Sequence, residues 1–531
     1  RGVLLCAVFP ACRRPQRWGR SPSGAIQQVG ISEAIPGAGG GDADGWLAVV
    51  GLDCTQGSSE LYALPLGFAT GAEADRLSTQ APCTIIATLI TDTDGPGVLH
   101  DALGSARFCR ALLELAQPGR RRSGLAGNLE GWQGPAWRDL SIEPIPPPPA
   151  DGAVDPRTAN AAPGEALRLR AVRSLDGSVD VDVGLVRYLS DKGFPNLPRL
   201  AGGVDYVARN GERVTIAIVS GSTPGVVDAW SDALDALGQY YDQVGTLDAK
   251  AQQPPPIRDD LLDRSGWHRS PAVKELVGTY LESARRLVAC VAAFHQALAS
   301  DPDHPEFGSE SLTPHAMRGL FQSFRNLAAE SLRLLDKQLG ALPSETASLA
   351  NRVLALQNAI LQRYQSLLDR QIDARRLRVH GDLHLGQIDW NGRDFILINF
   401  QGEPTVPSSE RRIKRSPLRD VASLIRSFDH AATVAVEQHV ARGGLPPENV
   451  AAFEPWVRFW HYAVSAAFGH AYRDALGPTE LLPTAQDELE VLLRAHLLDR
   501  AIQEVRFELD HRPARLGGAL HAILRLLGET T

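Results

Sequence analysis

Cysteine is scarce and unpaired in this sequence. Its six residues, Cys6, Cys12, Cys54, Cys83, Cys109 and Cys290, include no Cys-x-x-Cys pair. That spacing excludes a disulfide-stapled scaffold and a thiolate metal cluster, and it fits a reducing cytoplasm. No uninterrupted apolar run approaches the length of about 18 residues that a membrane-spanning helix needs, so no such helix is expected. Positive charge is not in excess either. With 54 Lys and Arg against 62 Asp and Glu, the net charge is -8, and the bulk field draws the chain to neither nucleic acid nor anionic membrane. A small molecule or a protein is the better-suited partner. The opening "RGVLLCAVFPACRRP" has an apolar run, but it is short, lacks a Met start and is followed by no clear processing site. It reads as the buried start of a domain, one that could continue a longer chain, rather than as a secretory segment.

What is present describes a globular chain. The 531 residues are 44% hydrophobic and 22% charged, enough for about two to four domains with sizeable cores. Short apolar runs broken by Gly, Pro and Asp, such as "GWLAVVGLD", "ELYALPLGF" and "TIIATLI", predict a small antiparallel sheet within residues 1–135. The stretch "VLHDALGSARFCRALLELA" has helical spacing and would cover it. Residues 143–165, "EPIPPPPADGAVDPRTANAAPGE", are rich in Pro and Ala and read as extended linker or loop. Beyond them, "ALRLRAVRSL" and "ERVTIAIVSG" alternate like strands around a helix that ends near Gly193. Residues 226–375 are helical almost throughout. They give way to two short strands, "RLRVH" and "DFILINF", with a loop between them, before helices resume to the end. The division expected is 1–135 as an amino-terminal cap, 136–235 as a nucleotide-facing sheet lobe with its Pro-rich linker, and 236–531 as a helical lobe. A cleft beside such a helical lobe would suit a small ligand.

The loop between the two short strands carries the chemistry. "HGDLHLGQ", residues 380–387, sets Asp382 five residues before Gln387. A carboxylate there can accept a hydroxyl proton, and a carboxamide oxygen can coordinate a metal that carries ATP phosphates. His380 can fix the loop by hydrogen bonding, although any His-Gly-Asp turn can also be purely structural. His384 has no companion ligands at zinc-site spacing and reads as a loop hydrogen bonder. After the second strand, "INFQGEP" places Asn399 where a hard cation would prefer a carboxylate, with neutral Gln401 on the same face and the acid Glu403 nearby. In "SERRIKRSPLRD", residues 409–420, Asp420 can order a basic loop by accepting from Arg419 or from backbone donors. Trp456, Trp460, Tyr462 and Tyr472 recur at core-like spacing, and some of them could stack on a sugar.

"RVHGDLHLGQ", "NFQGEPTVPSSERRIKRSPLRDVASLIRSFDHAA", "RPQRW" at 14–18 and "FGHAYRDAL" at 468–476 together resemble the bacterial maltokinases, including the kinase part of trehalose synthase fusions. The resemblance implies an α+β, bilobal, protein-kinase-like fold of the aminoglycoside phosphotransferase type with an extra amino-terminal α/β domain. It also implies ATP- and Mg²⁺-dependent phosphorylation of maltose at its anomeric hydroxyl, in a cytoplasmic α-glucan pathway where trehalose synthase or another pathway protein could be a partner. Carried onto this chain, Asp382 would be the catalytic base and Gln387 a metal and nucleotide ligand, while the metal-binding Asp falls at Asn399 and the acid after the Phe at Gln401. The phosphate-holding Lys falls at Arg170 in "LRAVRSL", and its helix partner falls at Asp182. "PRTANAA" replaces a hydroxyl-rich turn over the phosphates, and Ser220 and Gly221 replace Gln and Glu beside the adenine. Because these changes all face nucleotide and metal, they point to a weakened or inactive kinase. Two alternatives stay open: an active kinase on maltose or another small sugar such as glucosamine with compensating ligands, and a non-catalytic protein that binds a saccharide or a partner.

Overall fold

The computed structural model describes residues 26–37, 45–54, 60–80, 82–91, 95–137, 158–161, 167–173, 175, 178–221, 226–247, 253–257, 266–400, 402 and 408–529. Arg17 and Trp18 of the amino-terminal motif lie outside them, as do Gln401 and Glu403. The chain forms two compact units. The first comprises residues 1–191, 197–225 and 399–411, and the second comprises 192–196, 226–398 and 412–531.

In the first unit, the apolar runs form antiparallel strands. β1 (Ile26–Pro36), β2 (Trp46–Cys54), β3 (Glu60–Thr70), β4 (Ile85–Thr91) and β5 (Gly95–Asp101) make one sheet in the order β1-β2-β3-β5-β4, and helix α1 (Gly71–Gln80) follows β3. Helix α2 (Ala106–Leu115) is shorter than its sequence pattern suggests, because the first part of "VLHDALGSARF" is spent on β5. Ser105 caps it by accepting from the Phe108 N–H at 3.5 Å. A second sheet runs β6-β7-β10-β11-β9-β8, built from β6 (Arg121–Ser123), β7 (Gly127–Gln133), β8 (Thr158–Ala161), β9 (Leu167–Val172), β10 (Leu200–Ala208) and β11 (Arg213–Gly221). Helix α3 (Ser178–Asp191) connects β9 to β10 and stops before Gly193, whose φ of 74° suits the residue beyond a helix end.

These two sheets do not separate at residue 135. β7 pairs directly with β10 across that point, and one core includes Ile35, Val49, Phe108, Leu112, Leu129, Leu169, Val204 and Val219 from both sheets and α2. Backbone bonds from Ala63 N to Arg173 O and from Leu175 N to Leu61 O, both 2.8 Å, join β3 to the segment after β9. Apolar faces that cannot be closed separately are closed on one another.

The second unit is helical. After β12 (Val227–Asp228) come α4 (Ala229–Thr246), α5 (Pro271–Ala299), β13 (Glu310–Ser311), α6 (Pro314–Gln338), α7 (Ser344–Ala355), α8 (Gln357–Gln365), β14 (Arg375–Arg376), β15 (Ile388–Trp390) and β16 (Phe395–Leu397). Helices α9 (Leu418–Ala441), α10 (Val450–Leu476), α11 (Gln486–His511) and α12 (Leu516–Leu527) complete it. The starts of α5 and α6 follow one rule. Ser270 and Thr313 accept from the N–H groups of Val273 and Ala316, and a proline follows each cap, where its missing N–H costs nothing. On α5, Val273, Val277, Tyr280, Leu281, Ala284, Leu287, Val288 and Val291 form the buried stripe that a 3.6-residue period dictates.

The two short strands expected around the loop do not pair with each other. Of "RLRVH", Arg376 joins Arg375 in a pair with Glu310–Ser311 and Leu377 bridges Arg415, whereas Phe395–Leu397 pairs with Ile388–Trp390 in a hairpin that also takes up Val227–Asp228. The hairpin turns through residues 391–394, where the Asn391 side-chain oxygen accepts from the N–H groups of Arg393 and Asp394 at 2.9 and 2.7 Å and Gly392 takes a φ of 85°.

Candidate functional site

In the second unit, residues 377–387 form a loop held from several sides. Gly381 has a φ of 82°, a conformation that a side chain would strain, and it turns the chain so that Asp382 follows. Both N–H groups at the turn are taken by one carboxylate: Asp420 Oδ2 accepts from His380 N at 2.8 Å, and Asp420 Oδ1 accepts from Gly381 N at 3.0 Å. Asp420 stands in the first turn of α9 and is fully buried. Burial pushes its carboxyl up, but the hydrogen bond and charge of His295, the charge of His380 and the Gly381 N–H leave it below the ordinary carboxylate value. His295 on α5 lies with Nε2 3.2 Å from Asp420 Oδ2 and Nδ1 2.7 Å from the Tyr472 hydroxyl. A buried chain from Tyr472 through His295 to Asp420 therefore fixes the backbone before Asp382.

Asp420 thus orders the loop around Asp382 rather than the basic loop after residue 409. Its partners are backbone donors and His295, while Arg419 is half-buried and donates its own N–H to Ser416 O at 3.0 Å. The basic loop is tied elsewhere, with Lys414 2.7 Å from Glu310.

Asp382 is buried, with its carboxylate side chain 9% exposed. Arg500 on α11 approaches Oδ1 at 3.1 Å, and the same guanidinium donates to Gln503 Oε1 at 3.1 Å. His384 Nε2 is 3.8 Å from Oδ2, and its Nδ1 accepts from Gly386 N at 3.1 Å. Gln387 ends the turn: its N–H donates to His384 O at 2.8 Å and its carbonyl accepts from Ile398 N at 3.1 Å. His380 Nε2 is 2.9 Å from Ile398 O, so the loop is fastened to the strand end that leads to Asn399.

Tyr472, Trp456, Trp460 and Tyr462 are all buried on α10. Tyr472 serves His295 rather than a ligand, and Trp460 packs 5.1 Å from Tyr280 in the helical core. Asp228 caps α4 by accepting from Ser231 N at 2.6 Å.

In the first unit, Arg170 of β9 stands opposite Ile218 and Asn160 and meets Asp182 of α3 through a direct Nη2 ion pair. The pair that the sequence analysis assigned to phosphate holding is therefore brought together. Arg170 Nη1 also donates to Asn399 Oδ1 at 2.7 Å, and Asp182 Oδ1 accepts from Phe400 N at 3.1 Å. Asn399 has a φ of 60°, the sole positive value at a non-glycine residue among the described residues, and Asn is among the few types that tolerate it. Of the expected phosphate-facing turn, Thr158–Ala161 is strand β8, paired with β9.

Among the described residues of this unit, the donors beside Asn399 do not fit Mg²⁺. A hard divalent cation seeks anionic oxygens. Here the Asn399 oxygen is neutral and already accepts from a guanidinium, and Asp182 is engaged by Arg170 and the Phe400 N–H. Among the described residues, no three His, Cys, Asp or Glu side chains gather as a metal site.

Sequence reasoning missed Arg500 and His295. Each lies on a helix more than a hundred residues from its partner carboxylate, and no motif marks it.

No family model matches this sequence. A glucosamine kinase from Streptacidiphilus jiangxiensis is 23% identical over 325 residues, 61% of this chain and 60% of that protein, so the match spans less than two thirds of that relative. A glucosamine kinase from Mycolicibacterium smegmatis (strain ATCC 700084 / mc(2)155) is 24% identical over 379 residues, 71% of this chain and 79% of that protein. Among solved structures, glucosamine kinase in crystal form B matches with a TM-score of 0.57 at 19% identity, covering 96% of each chain. Glucosamine kinase in complex with glucosamine, ADP and inorganic phosphate matches with a TM-score of 0.55 at 19% identity, covering 95% of this chain and 96% of that one. These relatives are glucosamine kinases, not the maltokinases that the motifs suggested. The chain shares the α+β fold of these solved glucosamine kinases.

Proposed function

We propose that this protein is an ATP-dependent kinase of a small amino sugar of the glucosamine class. The observation that carries the reading is Asp382, a buried carboxylate paired with Arg500 on a loop whose backbone is clamped by Asp420. Phosphoryl transfer leaves a protein little covalent chemistry to perform, so a pre-set base and fixed charges are its main tools. In this reading, Asp382 orients the acceptor hydroxyl and receives its proton, Arg500 holds the carboxylate in place, and the clamp keeps the loop from relaxing when the acceptor arrives. Arg170 supplies positive charge for the nucleotide phosphates. The named relatives support glucosamine over maltose as the acceptor. Cap, nucleotide-facing and sugar-facing roles for residues 1–135, 136–235 and 236–531 belong to the same proposal, although 1–135 and 136–225 share one core.

The test is phosphorus NMR of the purified chain with ATP and either glucosamine or maltose, with and without a divalent ion, beside Asp382→Asn. A glucosamine phosphate signal is expected, and the substitution should lower its rate by about 10³-fold without unfolding the protein. A folded wild-type chain that forms no sugar phosphate above the level of the variant would overturn the reading. A signal with maltose alone would move the acceptor to the disaccharide.

A further inference from the structure

Arg170 occupies an unusual place for a phosphate-binding cation. Its guanidinium is a planar fork, and the fork bridges two acceptors: Nη2 pairs with Asp182, and Nη1 donates to Asn399 Oδ1 at 2.7 Å. A lysine ammonium is a compact point charge that could not reproduce this two-armed geometry. Asp182 is held in turn by the Phe400 N–H at 3.1 Å, so Asn399 and Phe400 are both fastened to the pair. Asn399 contributes an oxygen but no charge, and it keeps a left-handed backbone at a φ of 60° that presents its carboxamide to the guanidinium. An aspartate at 399 would have brought a carboxylate able to attract a divalent ion. The two departures from the maltokinase pattern thus meet in a single hydrogen bond and complement each other: where a carboxylate and a metal were expected, there is an amide and a fixed organic cation.

We infer that the Arg170 guanidinium, bridged between Asp182 and Asn399, takes the place of a divalent cation in this unit and itself receives a phosphate of the nucleotide, so that ATP binding does not require a divalent ion. The side chain is 15% exposed, so a soluble anion can meet it, while Asp182 at 3% serves as its buried counter-charge. Two features protect the arrangement from a metal. A divalent ion approaching Asn399 Oδ1 would have to displace the guanidinium, and it would gain only a neutral ligand in exchange. The inference deepens the kinase reading above and rests on it.

The experiment is calorimetric titration of the full chain with ATP, once in excess EDTA and once in excess Mg²⁺. The two dissociation constants should agree within about threefold, and an affinity about tenfold or more tighter with Mg²⁺ would overturn the inference while leaving the kinase reading intact. Absence of ATP binding in both buffers, by a chain that still binds glucosamine, would remove the kinase reading and the inference with it. Two variants locate the effect. Arg170→Lys keeps a charge beside Asp182 but not the bridge, and it should weaken ATP binding in EDTA by about tenfold while the chain melts cooperatively. Asn399→Asp gives the guanidinium a second carboxylate to neutralise it, and should weaken ATP binding in EDTA by about fivefold. Wild-type affinity in EDTA for both folded variants would show that the bridge does not bind phosphate.

Discussion

Two arginines, one in each unit, are each paired with a buried carboxylate: Arg170 with Asp182 and Arg500 with Asp382. Arg170 was visible in the sequence as a replacement for lysine, but its bond to Asn399 was not, because 229 residues separate them. Arg500 gave no signal at all, since an arginine on an amphipathic helix is ordinarily a solvated charge. Here it lies 3.1 Å from Asp382 with its side chain 17% exposed. Charge-assisted bonds of this kind contribute about 1.5–3 kcal/mol, so Arg500→Gln should lower the phosphoryl-transfer rate by about 10- to 100-fold with a smaller effect on sugar affinity. Steady-state kinetics with glucosamine check this, and an unchanged kcat would take Arg500 out of the site.

At the scale of elements, the loop around Asp382 owes its shape to α5, α9 and α10 through Tyr472, His295 and Asp420. The His-Gly-Asp pattern announced a turn, and the turn is there; its anchor is a carboxylate 39 residues away that the sequence had assigned to a different loop. Asp420→Asn keeps the volume but weakens acceptance from two backbone N–H groups and His295. It should cost about 2–4 kcal/mol of stability by denaturant unfolding and also reduce kcat, because the loop loses its support. Full stability with normal turnover would show the clamp to be dispensable. The hairpin of β15 and β16 is the converse case. Its turn residues Asn391 and Gly392 were in plain sight, but the sequence reading gave Ile388–Trp390 no strand of its own to pair with "DFILINF".

For the whole molecule, acid sensitivity follows from histidines that folding buries. Burial holds His461 down at about 4, with Asp429 opposing and Arg525 reinforcing the shift, and burial holds His496 at about 3, reinforced by Arg419 and Arg415. Burial likewise lowers His268 to about 4, with help from His470 and Arg269. The unfolded chain takes up these protons near the ordinary value of 6.5 and the folded chain does not, so stability is full above pH 6.5 and falls as the pH drops toward 4. Melting temperature should decline through that window. His496, whose ring nitrogens have no hydrogen-bond partner and which packs 5.3 Å from Phe324, is the sharpest probe. His496→Phe should make the decline shallower, and an identical pH profile would mean that its titration does not matter. By itself the sequence determined the strand-rich beginning, the helical remainder and the turn before Asp382, because these follow from local periodicity and short motifs, while the pairing of Arg170 with Asp182 was implied by the family resemblance. It did not determine that residues on both sides of 135 share one core, that Asp420 serves Asp382, or that a guanidinium sits on Asn399. Those depend on which distant surfaces close on one another, and that choice is made by tertiary packing, which no local pattern records.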